Sequence, residues 1–68
     1  MGTNFDDKVE FPGTVAIRES PAALLCRIDG DNHWIPKSHI HDDSEVYKEG
    51  DTGTLIISEW IAKAKGLV

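Results

Sequence analysis

Cysteine is almost absent from this 68-residue chain, and Cys26 alone cannot close an internal disulfide. Small domains from oxidising compartments usually carry several such bridges, so a cytoplasmic setting is the expectation. Apolar runs are short as well. Nothing approaches the roughly 18 residues that a membrane-spanning helix needs, and MGTNFDDKVE has neither the basic start nor the apolar core of a secretory signal. Gly2 is not followed by the Ser or Thr that myristoylation requires, because Asp6 stands there. Bases are scarce too: seven Lys and Arg against twelve Asp and Glu leave a net charge of −5. Proteins that grip nucleic acid cluster cations to neutralise phosphates, so that class is disfavoured. The six glycines fall singly, which excludes a glycine-rich phosphate cradle, and neither C-x-x-C nor H-E-x-x-H occurs. No cofactor, no metal and no catalytic residue is expected.

What remains describes one small domain. A chain of this length buries about 60% of the surface its unfolded form exposes, which calls for a compact core. Residues 1–10 read as a flexible arm and residues 11–68 as the folded unit. Phe11-Pro12-Gly13 introduces a strand over Thr14–Arg18, with Val15 and Ile17 on one face and Ala16 and Arg18 on the other. Glu19-Ser20-Pro21 is a turn. Ala22–Ile28 is a second strand whose near-continuous apolar run implies cover on both faces.

Asp29-Gly30-Asp31-Asn32 is the strongest local feature. Asp bonds its own backbone and Gly accepts positive φ, which favours a hairpin into a return strand near His33. Pro36 cannot donate to a ladder and marks an edge, a bulge or the strand's end. Lys37–Ile40 continues extended, His41–Ser44 is a polar corner, and Glu45–Tyr47 is a short strand or turn. Thr54–Ile57 is the last strand. Ser58 then caps a helix with Glu59 in its first turn, and Gly66 ends it. Trp60, Ile61, Ala64 and Leu67 recur at helical spacing and are expected to face the core. The fold class is mainly β (α+β): a small curved five-stranded antiparallel sheet, or a partly open SH3-like or OB-like barrel, with one C-terminal α-helix.

Three groups of residues could carry a function. Trp34, Lys37 and Ser38 combine aromatic, cation and hydroxyl in one stretch, with Trp34 either core or half-exposed anchor; Trp60 is the stronger core candidate. Asp42, Asp43 and Glu45 open an acidic run that could meet a basic surface, or could keep the protein soluble. His39-x-His41, with His33 or Cys26, has metal-ligand character, but two histidines on one strand are weak evidence beside a solvated loop end. Cys26 lies in an apolar run and reads as a buried, inert thiol.

With those residues in view, the chain resembles a group of short proteins from phages, prophages and bacterial mobile elements. The shared pieces are Arg27–Gly30, the Trp-aliphatic-Pro-Lys-Ser-x-aliphatic segment Trp34–Ile40, the acidic loop after it, and the Glu-Trp-aliphatic-Ala helix within Glu59–Leu67. They span Val9 to Val68. The resemblance brings no catalytic residues. It implies an accessory domain acting near DNA metabolism or defence. The resulting expectation is a non-catalytic module that binds a protein partner with a basic surface through Trp34, Lys37, Ser38, Asp42, Asp43 and Glu45. Inhibition of a host defence protein, for example a CRISPR-type one, is its sharper form. The alternative is a small barrel that binds single-stranded nucleic acid by stacking a base on Trp34, with Lys37 on phosphate. The strand edge near Pro36 could pair with a second chain, or Pro36 could prevent it.

Overall fold

Asp29 and Gly30 both take positive φ, 52° and 86°. Two left-handed residues in succession make the type I′ turn whose twist matches that of the strands it joins. In the computed structural model, which describes residues 8–67, this turn links β2 (Ala23–Ile28) to β3 (Asp31–Pro36). The ladder runs from Ile28–Asp31 beside the turn to Ala23–Pro36. A second tight turn precedes β2: the Ser20 N–H donates to the Ala23 carbonyl at 2.8 Å, and the Ser20 hydroxyl accepts the Ala23 N–H at 3.0 Å. It leads back to β1 (Lys8–Glu19). On the far side of β1 lies β4 (Thr52–Ser58), so the sheet is antiparallel throughout in the order β3-β2-β1-β4. One helix, α1 (Glu59–Ala64), follows directly.

β1 is longer than the sequence suggests, and two bulges explain why. Lys8–Glu10, expected in the arm, pair with Ser58–Ile56; residues 1–7 of that arm lie outside the described residues. Phe11-Pro12-Gly13 sits inside the strand rather than before it. The register jumps between Phe11–Leu55 and Thr14–Gly53, Gly13 takes φ 72°, and the Thr14 hydroxyl donates to the Phe11 carbonyl at 2.7 Å. A bulge is where a strand can hold a proline without losing a ladder bond. The second jump falls between Ala16 and Arg18. Ile17 is the extra residue, so the expected alternation breaks: Thr14 and Ala16 are buried, whereas Arg18 joins Val15 on the outer face.

Four strands form among the described residues, not five. Glu45–Tyr47 makes no strand, and Lys37–His39 is a 3-10 turn instead of extended chain. Among the described residues a single bridge, Ile40–Ile57, is the only ladder pairing beyond β4. The edge of β4 is nevertheless occupied. The His41 N–H donates to the Ile56 carbonyl at 2.8 Å, and the Glu45 N–H to the Thr54 carbonyl at 2.9 Å. The Ser44 hydroxyl accepts the Ile56 N–H at 3.1 Å, and a Glu45 carboxylate oxygen accepts the Thr54 N–H at 2.8 Å. The polar corner thus takes the fifth strand's place. It also bends the sheet. A flat sheet would hold the β3 and β4 edges about 14 Å apart, at roughly 4.8 Å per strand. The 3-10 turn between them rises only about 2 Å per residue. The sheet has to curl towards its other edge for the chain to make that step.

Phe11, Ala16, Leu24, Cys26, Ile28, Ile35, Ile40, Val46, Leu55 and Ile57 fill the concave face, closed by Ile61 and Ala62 of α1. The helix ends follow their sequence chemistry. The Ser58 hydroxyl accepts the Ile61 N–H at 3.3 Å. At the other end Gly66 takes φ 74°, the Leu67 N–H donates to the Ala62 carbonyl at 2.8 Å, the Gly66 N–H donates to Lys63, and Leu67 packs on the core. That is a Schellman motif with its hydrophobic contact. The inward stripe is Ile61 and Ala62, not Trp60 and Ala64, both of which are exposed.

Candidate functional site on the outer face of the sheet

β2 alternates cleanly. Leu24, Cys26 and Ile28 point inward and are buried, which turns Leu25 and Arg27 outward. The ladder carries this pattern into the neighbouring strands. Trp34 lies opposite Leu25, and Leu25 opposite Arg18; Asn32 lies opposite Arg27, and Arg27 opposite Val15. The outer face therefore gathers Trp34, Leu25, Arg18, Arg27 and Val15, with Ile17 of the bulge beside them. Trp34 is 43% exposed and Val15 38%. The helix packs on the opposite face, so no described element covers this surface. Arg18 and Arg27 make no ion pair among the described residues. A broad aromatic ring, aliphatic neighbours and two guanidinium groups suit a contact surface, since aromatics and Arg are enriched at interfaces. Arg also stacks and forks towards carboxylate or phosphate.

Trp34 is thus an outward residue, and the open choice between core and anchor falls to the exposed side. Lys37 and Ser38 are not its partners on that face. The 3-10 turn begins at Lys37, whose N–H closes the ladder on the Ala22 carbonyl at 2.9 Å and whose ammonium pairs with Glu19. Lys37 and the Glu49 N–H together hold the Glu19 carboxyl below the usual carboxylate range. Ser38 is exposed on the turn.

The acidic residues belong to the opposite edge of the sheet. Asp43 lies 3.4 Å from the Lys8 ammonium, Asp42 accepts the Tyr47 hydroxyl at 3.3 Å, and Glu45 is committed to the Thr54 N–H. Burial first and then the Asp42 charge push the Tyr47 phenol up. Asp51 accepts the Tyr47 and Lys48 N–H groups, both at 3.0 Å, and these hold its carboxyl low. Much of the acidic run is bonded into its own loop. Asp42 and Asp43 remain exposed.

The histidines do not lie side by side. His39 leaves the 3-10 turn with Nδ1 3.1 Å from the Ser58 hydroxyl, while His41 Nδ1 accepts the Asp43 N–H at 3.1 Å. No group of three or more metal-ligating side chains converges among the described residues. The Ser58 oxygen facing His39 is also the cap of α1, and no carboxylate bonds to His39 among the described residues. The pair fastens the 3-10 turn to the helix start. Cys26 is fully buried, and burial pushes its thiol up to about 11, which keeps it protonated at neutral pH.

Trp60, expected in the core, is 68% exposed and stacks on His39 with ring centroids 5.3 Å apart. A strand-to-helix junction fixed at Ser58 decides this: it aims the next residues, Ile61 and Ala62, at the sheet. Trp60→Ala should accordingly cost at most about 1 kcal/mol in urea unfolding, the worth of an aromatic stack. A core tryptophan would cost roughly 3–5 kcal/mol, and a loss of that size would put Trp60 back inside.

No helix among the described residues is long and apolar enough to cross a membrane. Comparison with protein-family models, curated proteins and solved structures returns no match, so the geometry of the outer face carries the functional reading.

Proposed function

We propose that this chain is a non-catalytic protein-binding module, a phage or mobile-element accessory protein, and that Trp34 anchors its partner on the outer face of the sheet. The observation that supports this reading is the outer surface itself: exposed Trp34, Val15 and Ile17 surround half-buried Leu25 and are flanked by Arg18 and Arg27. Lys37 and Ser38 stand beyond the end of β3 as a rim. The curl of the sheet supports describing the domain as a partly open small barrel of SH3-like or OB-like kind. Inhibition of a host defence or DNA-metabolism protein is the sharper form. It would use the exposed carboxylates of Asp42 and Asp43 on the β4 side, with Glu45 holding their loop in place.

Affinity capture with the wild-type chain and with Trp34→Ala tests the anchor. Loss of a hot-spot tryptophan costs about 2 kcal/mol or more, so the variant should hold its partner about thirtyfold more weakly while its circular dichroism stays unchanged. Equal capture by a folded Trp34→Ala chain would remove Trp34 from the interface. Arg18 and Arg27 beside Trp34 favour one second reading, single-stranded nucleic-acid binding, with the guanidinium groups rather than Lys37 on phosphate. Titration with an oligothymidine separates the two. Salt-sensitive quenching of Trp34 fluorescence would support the second reading, and its absence at low salt would dispose of it.

A further inference from the structure

The two edges of this sheet are treated differently. β4 is covered by the polar corner, whose backbone and side chains take up Thr54 and Ile56. β3 is the opposite edge, and its ladder fixes which of its groups are free. In a hairpin closed by a two-residue turn, the residues flanking the turn exchange hydrogen bonds, and the pairs then alternate. Ile28–Asp31, Cys26–His33 and Leu24–Ile35 are therefore the bonded pairs. The Lys37 N–H donating to the Ala22 carbonyl at 2.9 Å continues the same alternation. Asn32, Trp34 and Pro36 direct their backbone groups away from β2. The Asn32 and Trp34 groups meet no partner among the described residues. Pro36 sits where its missing N–H costs the ladder nothing.

We propose that this edge pairs with the same edge of a second copy of the chain, antiparallel about a two-fold axis at His33. Two registers use these groups, and the pairing proposed is the one that leaves neither Asn32 nor Trp34 with an unpaired backbone group. Centring the axis on Trp34 would place Asn32 opposite Pro36 of the second copy, which has no N–H to give. Centring it on His33 places Asn32 opposite Trp34 of the second copy and the reverse. The Asn32 and Trp34 N–H and C=O groups of both copies then satisfy one another in four bonds. Charges agree with this choice. Asp31 comes opposite Ile35 of the second copy, so no like charges meet, and the hairpin tip at Asp29 comes beside Lys37 of the second copy. The acidic loop, where most repulsion between two −5 chains would arise, sits at the far edge around β4. Two sheets of four strands join into one of eight, and the two Trp34 faces become a single continuous surface. This pairing stands independently of the identity of any outside partner.

Sedimentation equilibrium on the full chain at about 100 μM should give twice the monomer mass. Asn32→Pro removes an N–H that makes no bond among the described residues, so it should keep the native circular dichroism and weaken self-association at least tenfold. Hydrogen exchange on the wild type supplies a measurement that does not depend on the variant's folding. The Asn32 and Trp34 amides should be protected at high concentration and exchange freely on dilution. A chain that stays monomeric at 1 mM would overturn the proposal, whether or not another protein occupies the edge. So would a dimer in which these two amides exchange freely at every concentration.

Discussion

Replacing Leu24 by alanine should cost this domain about 3 kcal/mol, within the range found for buried leucines whose surroundings relax only in part. Leu24 is fully buried on the concave side of β2, between Glu19 of β1 and Ile35 of β3 in the ladder. At roughly 0.05–0.15 kcal/mol per residue, 68 residues hold about 3–10 kcal/mol in total. One methyl-rich side chain therefore carries a large share of it. Urea unfolding followed by far-UV circular dichroism reads the effect as a lower midpoint at unchanged slope. Leu24→Met keeps the volume and should cost under about 1.5 kcal/mol. Val15→Ala, on the outer face, is the control and should cost about 0.5 kcal/mol. Equal losses at Leu24 and Val15 would mean that the concave and outer faces are assigned the wrong way round.

What could be read from the sequence was the chemistry that acts over a few residues. Asp29-Gly30 makes its hairpin because positive φ is available there, Ser20-Pro21 makes its turn, Ser58 caps the helix, and Gly66 with Leu67 ends it. Each is decided within about one turn of chain. The bulges at Gly13 and Ile17 are not, because an extra residue in β1 has meaning only against β2 and β4. The meeting of Arg18 with Val15 on the outer face follows from that. Trp60 misled for a related reason. A six-residue helix has too few positions for periodicity to choose between the stripe at Trp60 and Ala64 and the stripe at Ile61 and Ala62. The direction in which β4 delivers the chain chooses.

The candidate site was half legible. Trp34 stands out by type, and Lys37 and Ser38 lie close to it in sequence, but the 3-10 turn after Pro36 takes them out of the strand. Leu25 and Arg27 alternate with the buried Leu24, Cys26 and Ile28, but the near-continuous apolar run of this strand points to cover on both faces and hides that alternation. Arg18 was not legible either, because only the bulge puts it on the Trp34 side.

Ser44 was wholly hidden, and Ser44→Ala carries the other large expected effect, a loss of about 3 kcal/mol. A hydroxyl offers one donor and two acceptor positions, and at Ser44 all three are used. It donates to the Val46 carbonyl at 2.9 Å and accepts the Val46 N–H at 3.2 Å and the Ile56 N–H at 3.1 Å. Alanine fits the space but strands two buried N–H groups, and each unsatisfied group costs about 1–3 kcal/mol. The loss should also be local before it is global. Hydrogen exchange should accelerate first at Ile56 and Val46, while the β2–β3 hairpin keeps the protection of the whole fold. Edge opening at β4 would then expose a second unpaired strand and with it a second route to association. Ser44→Ala should therefore aggregate on concentration, unlike Leu24→Ala compared at equal fraction folded. A Ser44→Ala chain that is as stable as wild type, with unchanged exchange at Ile56, would show that the polar corner does not depend on this hydroxyl to hold the edge of β4.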